Sequence, residues 1–235
     1  SPGRVALVRD LRRLDAGAAT GLPGARLLVG GLPAFSADYE SSVAGRFPGV
    51  VALVVGGTLL ALLVGFRSVL VPVKAVLLNL LSVAAAFGAL VLVFQDGYGV
   101  RLLGLEGPVD GVFPIVPALV FCSVFGLSMD YEVFLVTRVR EERLAGKSDD
   151  EAIVEGVART GPVITSAAAV MIAVFAAFML GRFVLMKMLG FALAVAVLLD
   201  ATVIRLAIGP ALLCLAREYN WWPGESPTGP KRERR

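Results

Sequence analysis

VFPIVPALVFCSVFGLSMDYEVFLVT, residues 112–137, contains two acidic side chains, Asp130 and Glu132, and no basic one. At about 1.5 Å of rise per residue, a helix over this stretch spans more than the ~30 Å hydrocarbon core of a bilayer. The run is also far longer than the roughly 4–8 residues of a buried strand. It reads as a membrane-spanning helix.

Four comparable apolar runs lie on either side, at Pro48–Phe66, Val73–Phe94, Pro162–Leu180 and Met188–Leu215. The last contains Gly209-Pro210, where a kink and an interfacial end are expected. Composition agrees: 57% of residues are hydrophobic, 17% are charged, and mean hydropathy is +0.81. Soluble domains carry about a quarter charged residues. The expected fold class is therefore an all-α membrane protein, a bundle of five transmembrane helices. Residues 48–217 form the membrane domain, 1–47 a small α/β extracytoplasmic remnant, and 218–235 a basic tail that is expected to be disordered. Within 1–47, Val5, Leu7, Val8, Leu11 and Leu14 mark a helix, and Ala25 to Val29 a short strand. The chain begins at Ser1 without a signal segment, as a fragment of a longer protein would.

The connecting segments carry an asymmetric charge. Segments 67–74, 137–160 and 216–235 hold twelve Lys or Arg, whereas 95–111 and 181–187 hold only Arg101, Arg182 and Lys187. By the positive-inside rule the first group is cytoplasmic, which puts the N-terminus outside and the C-terminus inside. The net charge of +3 and pI near 9.1 are thereby explained without a nucleic-acid partner. Ser148 to Glu151 spells a capping box that opens a short amphipathic helix at 149–159 on the cytoplasmic face, ended by Gly161-Pro162. Trp221-Trp222 is placed at the headgroup level. Cys122 and Cys214 show neither metal-ligand spacing nor a disulfide framework, and the absence of histidine excludes a His-based metal site. No cofactor is expected.

Ionisable residues inside spans are functional candidates by default. An apolar setting disfavours the charged form of a carboxylate, so a buried one can take up and release a proton. Asp130 is the foremost candidate, with Tyr131 beside it supplying a hydroxyl that meets an Asp of another helix or a water. The bland alternative is a polar residue bonded to a neighbouring helix. For Asp200, function and structure stay equally open. Asp200 and Arg205 are i,i+5 and do not share an α-helical face well, which favours a cross-helix partner. Glu132, Arg182 and Lys187 read as boundary or loop solvation. Small residues at four-residue spacing, namely Ala84 and Gly88, Ala169, Ala173 and Ala177, and Gly190 and Ala194, read as close helix packing.

The stretch Gly126-Leu127-Ser128-Met129-Asp130-Tyr131-Glu132-Val133-Phe134-Leu135 resembles the signature of the MMPL (mycobacterial membrane protein large) family of the resistance-nodulation-division superfamily. Four further stretches match in the family's order. They are Phe66-Arg67-Ser68 with Val71-Pro72-Val73-Lys74, Thr160 to Ala168, Leu199 to Arg205, and Asn220-Trp221-Trp222-Pro223. The resemblance covers about residues 40–223. It implies the last five of twelve spans, residues 1–47 as the end of an outer porter domain, and Asp130 with Tyr131 as the second-half proton relay. It further implies a proton antiporter that exports lipids or other hydrophobic molecules, not an enzyme, with the proton gradient as its energy source. Asp200 and Arg205 become secondary relay or structural residues. The implied partners are membrane lipids, the substrate, the N-terminal half of the transporter and a possible homo-oligomer in the bacterial cytoplasmic membrane.

Competing readings are a sterol-sensing-like lipid sensor, a secretion-accessory relative of the same fold, and an intramembrane aspartyl protease. The protease needs two facing carboxylates, one acid and one base, and its Gly-x-Gly-Asp motif does not occur in any span.

Overall fold

The computed structural model describes residues 2–14, 18, 21–22, 25–109 and 111–224. Its helices are α1 (Pro2–Arg13), α2 (Leu32–Phe66), α3 (Leu70–Leu90), α4 (Ile115–Leu144), α5 (Asp149–Met179), α6 (Val184–Leu199) and α7 (Gly209–Ala216). A π-helical turn, Val91–Gln95, closes α3, and a longer one, Asp200–Ile208, joins α6 to α7. Short 3-10 turns lie at Val100–Leu103 and Arg217–Trp221. Five helical segments are long and apolar enough to cross a membrane: Pro33–Phe66, Leu70–Gln95, Ile115–Leu144, Asp149–Met179 and Val184–Ala216. The all-α bundle expected from hydropathy is therefore present.

Helices α3, α4 and α6 pack against one another, α5 lies on α4 and α6, and α2 leans on α3. Between them sits one apolar core. Val116, Val120, Val136, Phe94, Ala86, Met188, Ala192 and Ala196 are all fully buried in it. Edge-to-face ring pairs, Phe47–Phe121 at 5.8 Å and Phe94–Phe191 at 5.7 Å, join α2 to α4 and α3 to α6.

Four expectations are corrected. Ala25–Val29 forms no strand, and no ladder partner for it lies among the described residues. The helix that carries the first span starts before Pro48: α2 begins at Leu32 and passes through Pro48. At about 1.5 Å per residue its 35 residues reach ~52 Å, well past a hydrocarbon core. α1 packs on its early turns through Val8, Ala34 and Ala37, and Arg12 pairs with Asp38.

Nor does Gly161-Pro162 end a separate amphipathic helix. α5 runs unbroken from the Ser148 capping box to Met179. Packing on both sides of the proline keeps it helical: Thr160, Ile164 and Ala168 are buried, and Gly156 lies so close to α4 that an added Cβ would sit 2.6 Å from Val139 Cγ2. The small-residue stripes also divide. Gly190 and Ala194 are buried, and a Cβ on Gly190 would stand 2.5 Å from the Phe175 carbonyl oxygen. Ala169, Ala173 and Ala177, like Ala84 and Gly88, are exposed and face outward among the described residues.

The expected kink near Gly209-Pro210 takes the form of the π-helical turn just before it. Pro210 has no N–H to donate, and the Gly209 N–H bonds the Ile204 carbonyl five residues back. Residues 220–224 then return to the α2–α3 corner. There the Val69 N–H donates to the Trp222 carbonyl at 3.2 Å and the Gly224 N–H to that of Arg67 at 2.9 Å. Residues 225–235 of the expected basic tail lie outside the described residues.

Candidate functional site

The inner face of α4 repeats at helical spacing: Val120, Val124, Ser128, Glu132, Val136 and Val139 are all buried. Glu132 occupies a core position on this face, and the side chain that meets it is Arg205, from the π-helical turn. Arg205 is 2% exposed, Asp200 4% and Glu132 8%, so three ionisable groups share the bundle interior. One Arg205 terminal nitrogen donates to Glu132 Oε2. The other donates to the Ser128 carbonyl at 2.6 Å, to Ser128 Oγ at 3.2 Å and to Asp200 Oδ2 at 3.1 Å.

The i,i+5 objection to an Asp200–Arg205 pair fails for a geometric reason. It assumes α-helical spacing, whereas i→i+5 hydrogen bonding in the π-helical turn stacks residues five apart. The two residues therefore pair with each other, and Arg205 also finds the expected cross-helix partner. Glu132, read as boundary solvation, is instead buried. Depth along the axis let it reach the interface, but its angle around the helix points it at Arg205.

Asp130 lies on the opposite side of α4. It is exposed in this chain, on a face with Ser123, Gly126, Val133, Phe134 and Thr137. Tyr131 is half-buried against Ile164, Ala168, Val197 and Ala201, and its hydroxyl approaches Met171 Sδ on α5 at 3.8 Å. Among the described residues the Tyr131 hydroxyl thus meets a thioether, where an Asp of another helix or a water was expected. The structure brings Asp200, Arg205 and Glu132 together and sets Asp130 apart from them.

Two further polar residues escaped the sequence reading. Lys187, taken as solvated, is 8% exposed and donates to the Leu103 carbonyl, tying α6 to the loop that follows α3. Trp221, taken as a headgroup anchor, is 3% exposed; its ring lies under Arg143 at 5.3 Å, and only Trp222 remains exposed. A lysine or tryptophan near a span end gives no composition signal for burial. Only the core spacing of Ser128, Glu132 and Val136 could have revealed the cluster. Among the described residues no three Cys, Asp or Glu side chains gather as a metal-ligand set.

Five apolar helices around a buried arginine–carboxylate cluster define a multi-pass membrane protein. The MMPL family model matches residues 6–235, and the chain belongs to that family and so to the resistance-nodulation-division superfamily. Among curated relatives, it is 43% identical over 206 residues to the mycolic acid-containing lipids exporter MmpL11 of Mycolicibacterium smegmatis, covering 86% of this chain and 21% of that protein. It is 44% identical over 198 residues to the heme uptake protein MmpL11 of Mycobacterium tuberculosis, covering 84% and 20%. It is 39% identical over 199 residues to the trehalose monomycolate exporter MmpL3 of Mycobacterium tuberculosis, covering 85% and 21%. The chain spans about a fifth of the length of these relatives.

Proposed function

We propose that this chain forms the last five spans of a proton-driven transporter that exports lipids or other hydrophobic molecules across the bacterial cytoplasmic membrane. Asp130 and Tyr131 serve as its proton relay. The observation that carries this reading is the placement of Asp130, a carboxylate on the outward face of a membrane helix. A charge held against lipid costs about 2.5–3.5 kcal/mol on insertion scales, so such a residue belongs beside protein or a water-filled cavity. Ser123, Gly126 and Thr137 on the same face suit close contact with another helix more than with lipid.

The remaining four-fifths of a relative-sized protein supplies that contact, and a homo-oligomer partner is the alternative occupant. The names of two relatives, both exporters of mycolic acid-type lipids, support the substrate class. Asp200, Arg205 and Glu132 act as a buried charge cluster behind the relay. Lipid and substrate are the partners. The basic segments place the C-terminus in the cytoplasm and the N-terminus outside.

The test is Asp130→Asn in the full-length protein, reconstituted in vesicles under a pH gradient with a fluorescent lipid as cargo. Transport falls to background while insertion persists. Normal transport by this variant rejects the relay. A reporter fused after residue 235 that is active only outside the cell rejects the orientation.

A further inference from the structure

The triad of Glu132, Arg205 and Asp200 holds two carboxylates against one guanidinium. With all three ionised, it sums to minus one. Buried charge without compensation is costly, and a cluster of this kind either acquires a second cation or takes up a proton.

A second cation stands across from Glu132. Lys74 on α3 and Glu132 on α4 line one narrow seam with Val71, Leu78, Gly209, Leu212 and Leu213, and this seam has no room for a water molecule. Lys74 is held in place there. Its ammonium donates to the Leu212 carbonyl at 2.7 Å and to Asn220 Oδ1 at 2.8 Å. Both acceptors are neutral, so they fix the ammonium without cancelling its charge.

Asn220 is itself clasped from several sides and is 2% exposed. Its amide nitrogen donates to the Leu213 carbonyl at 2.8 Å and the Arg217 carbonyl at 2.7 Å, and its backbone carbonyl accepts from Ser68 Oγ. The C-terminal segment therefore positions a lysine beside the triad.

We propose that Lys74, clasped by Asn220, is the fourth charge of the cluster: it balances the Glu132–Arg205–Asp200 triad and sets whether the triad takes up a further proton. Lys74 is a positioning residue here, acting through Glu132. The groups it works among are Glu132 from α4, Arg205 and Asp200 from the π-helical turn, and the neutral acceptors Leu212 and Asn220. Movement of the 217–224 segment would withdraw the ammonium and leave the triad one positive charge short. The use of that step in transport rests on the relay reading above, but the charge balance does not.

The experiment reads protonated carboxyl groups directly, by infrared spectroscopy of the full-length protein in lipid nanodiscs at neutral pH. Lys74→Met gains one protonated-carboxyl stretch per chain, and adding Glu132→Gln, which leaves Asp200 and Arg205 balanced, removes it. Lys74→Arg keeps the charge and matches the parent. Asn220→Leu keeps the lysine but frees it, giving a fractional gain; it also serves as the test if Lys74→Met fails to insert. No new stretch in either variant, with helical content intact, overturns the proposal, as does a Lys74→Arg spectrum that copies Lys74→Met. The two readings fail separately. An Asp130→Asn variant that still transports ends the relay and leaves the infrared result standing. An unchanged Lys74→Met spectrum ends the charge balance whatever Asp130 does.

Discussion

Asp130 and Glu132 sit two residues apart on α4 and live in opposite environments. Two steps of about 100° put them on nearly opposite sides of the helix. Glu132 is buried and bonded to Arg205, and Asp130 is exposed in this chain. The inner face of α4 is satisfied within the chain: Arg205 answers both its carboxylate, Glu132, and its serine, Ser128. The outer face carries a charge with no hydrogen bond or ion pair to it among the described residues. The same division runs through the bundle: half of the most apolar window of α4 is buried, against 11% of that of α5. Two classes of intramembrane charge follow, one that holds the fold and one that is left for something else to meet.

The sharpest way to break this comparison is to remove the cation from the inner face. Arg205→Met leaves Glu132 and Asp200 together without their partner. Losing one member of a buried ion pair costs about 3–5 kcal/mol. Denaturant titration of the detergent-solubilised chain measures the loss, and combining Arg205→Met with Glu132→Gln and Asp200→Asn restores most of it. A loss under about 1 kcal/mol in the single variant would mean that the cluster is not structural.

Packing gives the next largest effect, again on the inner side. Gly190→Ala places a Cβ 2.5 Å from a backbone oxygen of Phe175 and 2.8 Å from Phe178 Cβ, so α5 and α6 must separate. Overpacking of this kind costs about 1–3 kcal/mol. Ala173→Leu, on the outward stripe, leaves the stability of this chain alone unchanged. Equal losses in the two variants would erase the distinction between packed and unpacked small-residue stripes.

What the sequence made legible follows the same line. The five spans were readable because hydropathy over twenty residues is a property of composition, and the Ser148 cap because it is local to four residues. Charge within apolar spans singled out Asp130, Asp200 and Arg205, with Tyr131 beside the first, and the family resemblance then added the relay role of Asp130 and Tyr131. Continuation of α2 through Pro48 and of α5 through Pro162 was not readable, since the neighbouring helices decide it. The Asp200–Arg205 pair was misjudged because its spacing fits only a π-helical turn. That turn arises where Gly209 admits a wider backbone path and Pro210 withholds a donor. Glu132 was misplaced because depth was counted and angle was not. Local features were therefore accessible, and those needing the turn angle or a second helix were not.

A smaller effect belongs to the start of α5. Ser148 Oγ accepts from the Glu151 N–H at 3.3 Å, and Glu151 returns the contact to the Ser148 N–H at 3.1 Å. Ser148→Ala costs about 1 kcal/mol, the usual loss for an N-cap. Hydrogen exchange then rises in the first turn of α5 and not beyond Pro162, because packing on α4 and α6 holds the later turns.

The smallest effect on stability is expected where the largest effect on function is proposed. Asp130→Asn removes a charge from an exposed position with no hydrogen bond to it among the described residues, and such changes usually stay within about 0.5 kcal/mol. The same substitution made at Glu132, as Glu132→Gln, strips Arg205 of an ionic partner and lowers stability measurably. The pair of variants, two residues apart, puts the comparison in one measurement. If Asp130→Asn destabilises this chain as much as Glu132→Gln, Asp130 contributes to the fold from within the segment, and its outward face is not waiting for a partner. If it is neutral in this chain but destabilising in the full-length protein, the difference measures the contact that the longer protein makes with that face.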